Sequence, residues 1–173
     1  MNLQYKNIQL RLVEPSDAEF ILSLRLDYKY NRYLSKVAGN VEDQRNWIEN
    51  YKSDEASGIQ YYFVIERLDG TPCGTIRIYD IRDESFCWGS WILNHNKTKY
   101  AALESAFLIY RYGFDLLGFE KSHFEVIKEN VGVVNFHKRM GAQIVQEDEV
   151  NFYFEITKDA VRKAETDLSG VIQ

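Results

Sequence analysis

The sequence predicts a single α/β domain in which helices cover a mixed, mostly antiparallel sheet. The chain has 173 residues, which fits one domain better than two, and no repeat or linker marks a boundary. Strand-like and helix-like segments follow the order β-α-α-β-β-β-α-β-α-β-β, with a final helix expected after them. Consecutive strands favour antiparallel pairing, whereas the later β-α-β unit favours a parallel pair.

The first third of the chain is predicted to form one strand and two helices. Residues 8–12 alternate apolar and polar side chains, which is the period of a half-buried strand. Ser16, with a glutamate three residues later, gives a capping-box pattern for the first helix. Asn40 is a suitable cap for a second helix over residues 41–51. Residues 27–40 show no clear period and are predicted to form a loop or a short helix.

Three strands of a meander come next, at residues 61–65, 75–79 and 85–93, where β-branched and aromatic residues are separated by short polar turns. Gly89 interrupts the third of these strands. A glycine inside a strand commonly marks a bulge or a close approach by a ligand. The longest helical stretch follows at residues 99–117 and is ended by a glycine.

The last part of the chain is predicted to form a strand, a helix, a hairpin and a final helix. The strand covers residues 123–127, and the helix covers residues 131–140 before a glycine. Residues 144–145 and 152–156 are assigned to the hairpin, and residues 158–168 to a mostly polar helix. This order places a β-α-β unit beside the meander.

Composition and charge exclude several classes of protein. The net charge of -5 gives no electrostatic basis for a nucleic-acid partner. The N-terminal residues lack the pattern of a signal peptide, and no apolar run approaches the ~18–20 residues of a membrane span. Cys73 and Cys87 lack metal-ligand spacing and are interpreted as reduced thiols, so we expect a cytoplasmic protein without a metal or a membrane partner.

Aromatic residues make up 14% of the chain, with 12 Tyr, 10 Phe and 3 Trp. So many rings must line either a large core or a ligand cleft. A mildly acidic protein also attracts cations, and protonated amines are cations. The composition is therefore compatible with an amine ligand but does not identify one.

The junction between the third meander strand and the long helix is the candidate functional region. The first N–H groups of a helix lack internal partners, and the helix dipole adds positive charge, so such an end binds phosphate. Lys97 and Lys99 lie there and oppose the dipole unless an anion is bound. The alternative is that both lysines lie on a solvated turn. His95 is a further candidate phosphate contact, whereas His123 is expected only to lie on the sheet.

Several segments, taken together in order and spacing, resemble the GNAT superfamily of acetyltransferases, most closely its ribosomal-protein and amino-sugar acetylating branch. The resemblance spans almost the whole chain and is carried by residues 10–18, 74–81, 89–93, 112–119 and 129–142. It implies a GNAT fold, with a twisted sheet of about six or seven strands whose fourth and fifth strands splay apart. It also implies N-acetyl transfer with acetyl-CoA as co-substrate and without a metal.

The resemblance implies one domain, residues 1–173, with three regions of different function. Residues 1–60 would form the acceptor side, residues 61–142 the cofactor-binding core, and residues 143–173 the C-terminal hairpin and helix. The acceptor would be a primary amine of a small molecule such as an amino sugar or similar metabolite, or a protein N-terminus. The protein would act as a monomer or a homodimer. The alternative is a catalytically silent GNAT-like module that binds CoA or a metabolite.

The family's pyrophosphate loop, Gln/Arg-x-x-Gly-x-Gly/Ala, falls on residues 97–102, where the chain has lysine first and tyrosine in place of the first glycine. An ordinary helical φ at that tyrosine still permits the N–H contact if the ring points aside. The resemblance also implies that the fourth strand pairs with pantetheine and directs an N–H at the thioester carbonyl. The implied cofactor-binding residues are Trp91, Ile92, Leu93, Lys97, Thr98, Lys99, Tyr100, Ala101, Ala102, Asn130 and Phe136.

The candidate catalytic residues are His137 and Asp80. His137 stands where many relatives have a tyrosine that protonates the leaving thiolate, and imidazolium is the stronger acid, with a pKa of ~6.5 against ~10. The alternative is that His137 is a helix-surface residue and the thiolate leaves unaided. The glutamate that serves as base in some relatives is replaced by Cys87, a poor base. Asp80 is therefore the first candidate, with Glu66 and Asp43 behind it.

Acceptor specificity in this family comes mainly from the first two helices and the loop between them. Tyr30, Asn31, Tyr33 and Trp47 lie in that region, interleaved with Arg and Lys, and are the expected acceptor contacts. Their rings would suit a sugar, a nucleotide or a peptide end through stacking and cation–π contacts. The alternative is a tyrosine-rich cap over the sheet.

Overall fold

A computed structural model describes residues 3–27, 29–30 and 39–173. In this part of the chain, seven strands and five α-helices follow the predicted order, and the final helix is present. The strands are β1 (Ile8–Leu12), β2 (Tyr61–Arg67), β3 (Pro72–Tyr79), β4 (Ser85–Leu93), β5 (Lys121–Ile127), β6 (Gln143–Glu147) and β7 (Asn151–Thr157). The helices are α1 (Ala18–Leu26), α2 (Val41–Ala56), α3 (Ala101–Arg111), α4 (Val131–Met140) and α5 (Lys158–Leu168).

The strands form one sheet in the order β1-β2-β3-β4-β5-β7-β6. Every neighbouring pair is antiparallel except β4 and β5, so the predicted mixed, mostly antiparallel sheet is confirmed. The parallel pair is short and joins Ser85 to Lys121 and Phe86 to Ser122. Beyond these two pairs the strands separate. We call the gap between residues 87–93 of β4 and the rest of β5 the splayed cleft.

Helices cover both faces of the sheet. On the α1–α2 face, these two helices pack against β2, and the buried cluster contains Val13, Ala18, Ile21, Ile48, Tyr51, Tyr62 and Val64. On the opposite face, α3, α4 and α5 enclose the larger core. No helix among the described residues is long and apolar enough to cross a membrane.

The bulge expected at Gly89 lies one residue later, at Ser90. Between two paired positions of β3 and β4, the β4 strand has one residue more, and Ser90 adopts a φ of 48°. A left-handed conformation is uncommon for a residue with a Cβ, and Thr75 stabilises it by donating from Oγ1 to the Ser90 carbonyl at 3.2 Å. Gly89 serves another purpose, since a Cβ there would lie 2.9 Å from the hydroxyl of Tyr79.

The helix caps agree only in part with the sequence patterns. Asn40 caps α2 as predicted, accepting from the N–H of Asp43 at 2.9 Å. The capping box predicted at Ser16 is wrong, because α1 begins after Asp17. The carboxylate of Asp17 accepts the backbone N–H of Glu14 at 2.8 Å and is held in place by an arginine of β1.

Candidate active site

The predicted anion site lies at the N-terminal turn of α3, which closely follows the end of β4. The N–H of Ala101 bonds the Thr98 carbonyl at 3.2 Å, while the next amides in the turn have no α-helical acceptor. Tyr100, which replaces the family's glycine, has a φ of −107° that any residue adopts. Its ring packs against the large core, with the Lys99 ammonium 5.2 Å from the ring centre. The ring therefore points aside, as the predicted N–H contact requires.

The loop before α3 leaves positive charge available at this turn. Asn94 holds the loop, since its N–H donates to the Cys73 carbonyl at 2.8 Å and its side chain accepts the N–H of residue 96. Lys97 and Lys99 are exposed, and neither forms an ion pair with the described residues. Thr98 Oγ1 is buried and has no hydrogen-bond partner there. Two lysines, backbone amides without a helical acceptor and a hydroxyl without a hydrogen-bond partner are together suited to binding a phosphate group.

The predicted cofactor residues of β4 and α4 lie on the elements that border the splayed cleft. The bulge shifts the alternation of β4, so the Trp91 ring lies on the α3–α4 face, 5.2 Å from the Phe136 ring of α4. The Trp91 indole N–H donates to Ser105 of α3 at 3.1 Å. Asn130 precedes α4, but its side chain makes no capping hydrogen bond. A residue type suited to capping is thus left available for another partner.

His137 is buried in the large core, with 4% of its surface exposed, so its interpretation as a helix-surface residue is wrong. The rings of Trp88, Phe124 and Phe154 surround it, with the Phe124 ring centre 4.2 Å away. Burial lowers the pKa of His137 to about 3, and its Nδ1 has no partner among the described residues. The side chain is neutral at pH 7. The structure therefore gives no support to its predicted role as an imidazolium acid.

The burial of His137 predicts an acid-sensitive stability. The folded-state pKa of about 3 lies below the ordinary 6.5, so between these pH values the unfolded chain binds more protons. The free energy of unfolding therefore falls as the pH decreases through this window, by about 2 kcal/mol between roughly pH 7.5 and pH 5. His137→Phe is expected to remove this pH dependence. It is also expected to raise the free energy of unfolding at neutral pH by about 1 kcal/mol, because it removes a buried polar atom that has no hydrogen-bond partner. Urea unfolding at both pH values measures both effects.

His95→Gln is the matched control, because His95 is exposed and its replacement is expected to keep the wild-type pH dependence. The His137→Phe protein is also expected to keep kcat within about threefold of wild type. A general acid typically contributes a factor of roughly 100 or more. A loss of kcat of that size in a folded His137→Phe protein would show that His137 does act as a general acid.

On the α1–α2 face, Asp80, His123 and Ser85 form a chain of hydrogen bonds where β4 and β5 separate. His123 Nε2 lies 2.9 Å from Asp80 Oδ2, and His123 Nδ1 lies 2.6 Å from Ser85 Oγ. Arg82 also donates to Asp80, at 2.8 Å. Asp80 has a φ of 44°, an uncommon value for a residue with a Cβ that occurs at functional sites.

The hydrogen-bond partners of His123 determine which of its ring nitrogens carries the proton. Because an ionised carboxylate only accepts, His123 Nε2–H donates to Asp80, and neutral Nδ1 then accepts from the Ser85 hydroxyl. A hydroxyl accepts as well as donates, so the same contacts hold the imidazolium. The hydrogen bond from His123, followed by that from Arg82, lowers the pKa of Asp80. Asp80 is thus a weak base, and His123, which the sequence placed only on the sheet, is better positioned to take a proton.

The remaining candidate bases have other partners. Glu66 accepts from Arg11 at 2.9 Å, on strands away from the splayed cleft. Asp43 accepts the N–H of Asn40 at the start of α2. Burial raises the pKa of the Cys87 thiol to about 11, so it stays protonated at neutral pH. The described residues contain no group of three or more side chains suited to a metal ion.

The predicted acceptor residues are only partly described. Trp47 is 40% exposed, and its ring meets the edge of Tyr62 at 5.9 Å. Tyr30 lies in a turn, where its N–H donates to the carbonyl of residue 27 at 3.0 Å. Asn31 and Tyr33 lie outside the described residues. The role of these residues as acceptor contacts therefore stays a prediction.

Comparisons with known proteins agree on the family. A profile of the Acetyltransferase (GNAT) domain matches residues 7–143. The chain is similar to the apo structure of FdhC, a nucleotide-linked sugar GNAT, at 49% identity, 100% coverage of this chain, 99% of that chain and a TM-score of 0.92. No curated protein matches the sequence.

More distant structures share the fold. The ribosomal-protein-S5-alanine acetyltransferase from Vibrio fischeri is 14% identical, with 92% and 97% of the two chains covered and a TM-score of 0.79. The spermidine N-acetyltransferase from Vibrio cholerae, in complex with CoA and spermine, is 18% identical, with 90% and 98% covered and a TM-score of 0.77. At such identities the likeness concerns the fold alone.

Proposed function

The chain belongs to the GNAT family of acetyltransferases, and on that premise we propose that it transfers an acetyl group from acetyl-CoA directly to a primary amine of a small molecule. The observation that carries this proposal is the splayed cleft, bordered by a bulged β4 and by the N-terminus of α3. The acceptor class we favour is an amino sugar linked to a nucleotide. Its support is the 49% identity to a nucleotide-linked sugar GNAT over the whole chain.

The residues at the splayed cleft fit acetyl-CoA. Bound there, acetyl-CoA would supply an activated acetyl thioester. The amides of residues 97–102, with Lys97 and Lys99, would bind its pyrophosphate. The edge of β4 at residues 91–93, which β5 leaves unpaired, would hydrogen-bond the pantetheine arm as an added strand does. An N–H of that segment would stabilise the oxyanion, and the Asn130 side chain would contact the arm.

We assign the proton of the amine to His123, reached through bound water and Ser85, because Ser85 lies six strand residues, or about 20 Å, before the segment proposed to hold the thioester. Water in the cleft would carry the ammonium proton to Ser85 Oγ as the Ser85 hydroxyl proton passes to His123 Nδ1, so Ser85 stays neutral and His123 gains one positive charge. The Asp80 carboxylate stabilises that charge and orients the ring, which makes Asp80 a positioning residue. With His137 neutral and buried, the thiolate would leave without an acid from this chain.

The remaining expectations about the protein are proposals as well. We propose a single domain whose residues 1–60 form the acceptor side, residues 61–142 the cofactor core and residues 143–173 the closing hairpin and helix. We also propose a cytoplasmic location, no nucleic-acid partner, and a monomer or homodimer. Tyr30, Asn31, Tyr33 and Trp47 remain the proposed acceptor contacts.

Thiol release from acetyl-CoA across a panel of amines tests the function. The panel contains nucleotide-linked amino sugars, free amino sugars, polyamines and peptides with free N-termini, and mass spectrometry identifies the product. We expect the highest kcat/KM with a nucleotide-linked amino sugar. A preference for peptides would contradict the sugar assignment. Tight acetyl-CoA binding without release on any amine would favour the catalytically silent binding module.

A further inference from the structure

Arg77 lies in the middle of β3, on the α1–α2 face, and β4 separates it from the splayed cleft. It pairs with Tyr62 of β2 and with Gly89 of β4, just before the bulge. Its guanidinium carbon is 4.5 Å from the centre of the Tyr79 ring and 5.8 Å from the centre of the Tyr62 ring. A largely buried cation is thus held among aromatic rings at the inner end of the acceptor side.

This guanidinium has no counter-charge in the chain. Its one hydrogen bond to a described residue runs from Nη1 to the neutral side-chain oxygen of Gln60, at 3.2 Å, and its Nε is buried without a partner. No carboxylate of the described residues lies within 4.0 Å, and residues 28 and 31–38 contain no Asp or Glu. Buried arginines are normally paired with an acid. The position is suited to an anion that the chain itself does not supply.

The electrostatic surroundings of Arg77 point the same way. Burial is the main cause that lowers the pKa of Arg77, which is the direction expected for a cation without an acidic partner. A bound anion would compensate the cost of burying this charge.

We propose that Arg77 binds a phosphate group of the acceptor, so that the amine substrate is a nucleotide-linked or phosphorylated sugar and not a neutral one. This inference rests on the function proposed above and names a feature of its acceptor. The planar fork of an arginine matches two phosphate oxygens at once, with more geometric specificity than a lysine provides.

The surface next to Arg77 offers a place for the rest of a nucleotide. A shallow cavity of about 160 Å³ is lined by Trp47, Asn50, Tyr51, Asp54 and Gln60. Gln60 connects this cavity to Arg77, because its amide N–H donates to Asp54 at 2.8 Å and leaves its oxygen facing the guanidinium. The exposed ring of Trp47 is the kind of flat surface on which a base or a sugar stacks.

Calorimetric titration with UDP tests the inference. The protein is first saturated with CoA, so that UDP cannot occupy the phosphate site at the α3 N-terminus. We expect wild type to bind UDP, Arg77→Met to bind it roughly 10–100-fold more weakly, and Arg77→Lys to fall between them. Arg162→Met removes an exposed arginine on α5 and is expected to have no effect.

A CoA titration of the same samples distinguishes a failure of the Arg77 inference from a failure of the acetyltransferase proposal. Arg77→Met retains an unbranched stem, and unchanged CoA affinity would show that the variant is folded. If CoA-saturated wild type does not bind UDP, or if Arg77→Met binds it as well as wild type, the role of Arg77 is wrong and the acetyltransferase proposal stands. If wild type does not bind CoA, the failure lies in the proposed function.

Discussion

Replacement of His123 by glutamine is expected to lower kcat by roughly 100-fold while leaving the Kd of acetyl-CoA unchanged, since general base catalysis contributes about that factor. Glutamine keeps a polar side chain of similar size but cannot take a proton. The loss is expected to shrink as the pH rises towards the pKa of the amine, because the solution then supplies unprotonated amine. Steady-state kinetics over a pH series, with acetyl-CoA saturating, measures both effects.

Substitutions of Ser85 and Asp80, which belong to the same chain of hydrogen bonds, are expected to lower kcat by different amounts. Ser85→Ala interrupts the proton path and is expected to approach the effect of His123→Gln, whereas Asp80→Asn changes only the support of the ring and should cost about tenfold. Glu125→Gln is the matched control, because Glu125 is exposed on β5 two residues beyond His123. A larger loss in the Glu125 variant than in the His123 variant would transfer the role of base to Glu125.

Reversing both lysine charges before α3 is expected to weaken acetyl-CoA binding by roughly 30–100-fold, at about 1 kcal/mol or slightly more for each position. Lys97→Glu with Lys99→Glu places two negative charges where the pyrophosphate is proposed to bind. Calorimetry at low and high salt measures the change, and the wild-type affinity should fall with ionic strength more steeply than that of the double variant.

Lys163→Glu is the control for net charge, because Lys163 is an exposed lysine of α5, away from the splayed cleft. It is expected to bind acetyl-CoA as wild type does. If the Lys97 and Lys99 double variant also binds like wild type, the lysines belong to a solvated turn. If, in addition, function were intact, the chain would act as an interaction domain and not through this cofactor.

Local patterns predict the fold because they depend on neighbouring residues. The alternation in β1 and β3, the Asn40 cap and the glycines after α3 and α4 each act within a few residues, and the element order is confirmed. The bulge is harder to place, because its position depends on the register between two strands. Gly89 gave the signal, yet the strained residue is Ser90, stabilised by Thr75 from the neighbouring strand.

The proposed site was predicted less completely, because its groups come from distant parts of the chain. Asp80 and His123 are 43 residues apart in sequence, so no local pattern indicates their hydrogen bond. The helical position of His137 could be read from the sequence, whereas its burial among rings of three strands could not. Arg77 alternates with isoleucines as a solvated residue would, and only the sheet shows that it lacks an acid.

A crystal structure of the protein with CoA bound is the most decisive test of the splayed cleft as the acetyl-CoA site. This placement of the site predicts that the pantetheine arm lies along the free edge of β4 at residues 91–93, and that the pyrophosphate contacts the amides of residues 97–102. It also predicts the CoA sulfur on the side of the cleft that opens towards Ser85 and His123. CoA bound elsewhere on the protein, or a splayed cleft that stays empty at saturating CoA, would contradict it.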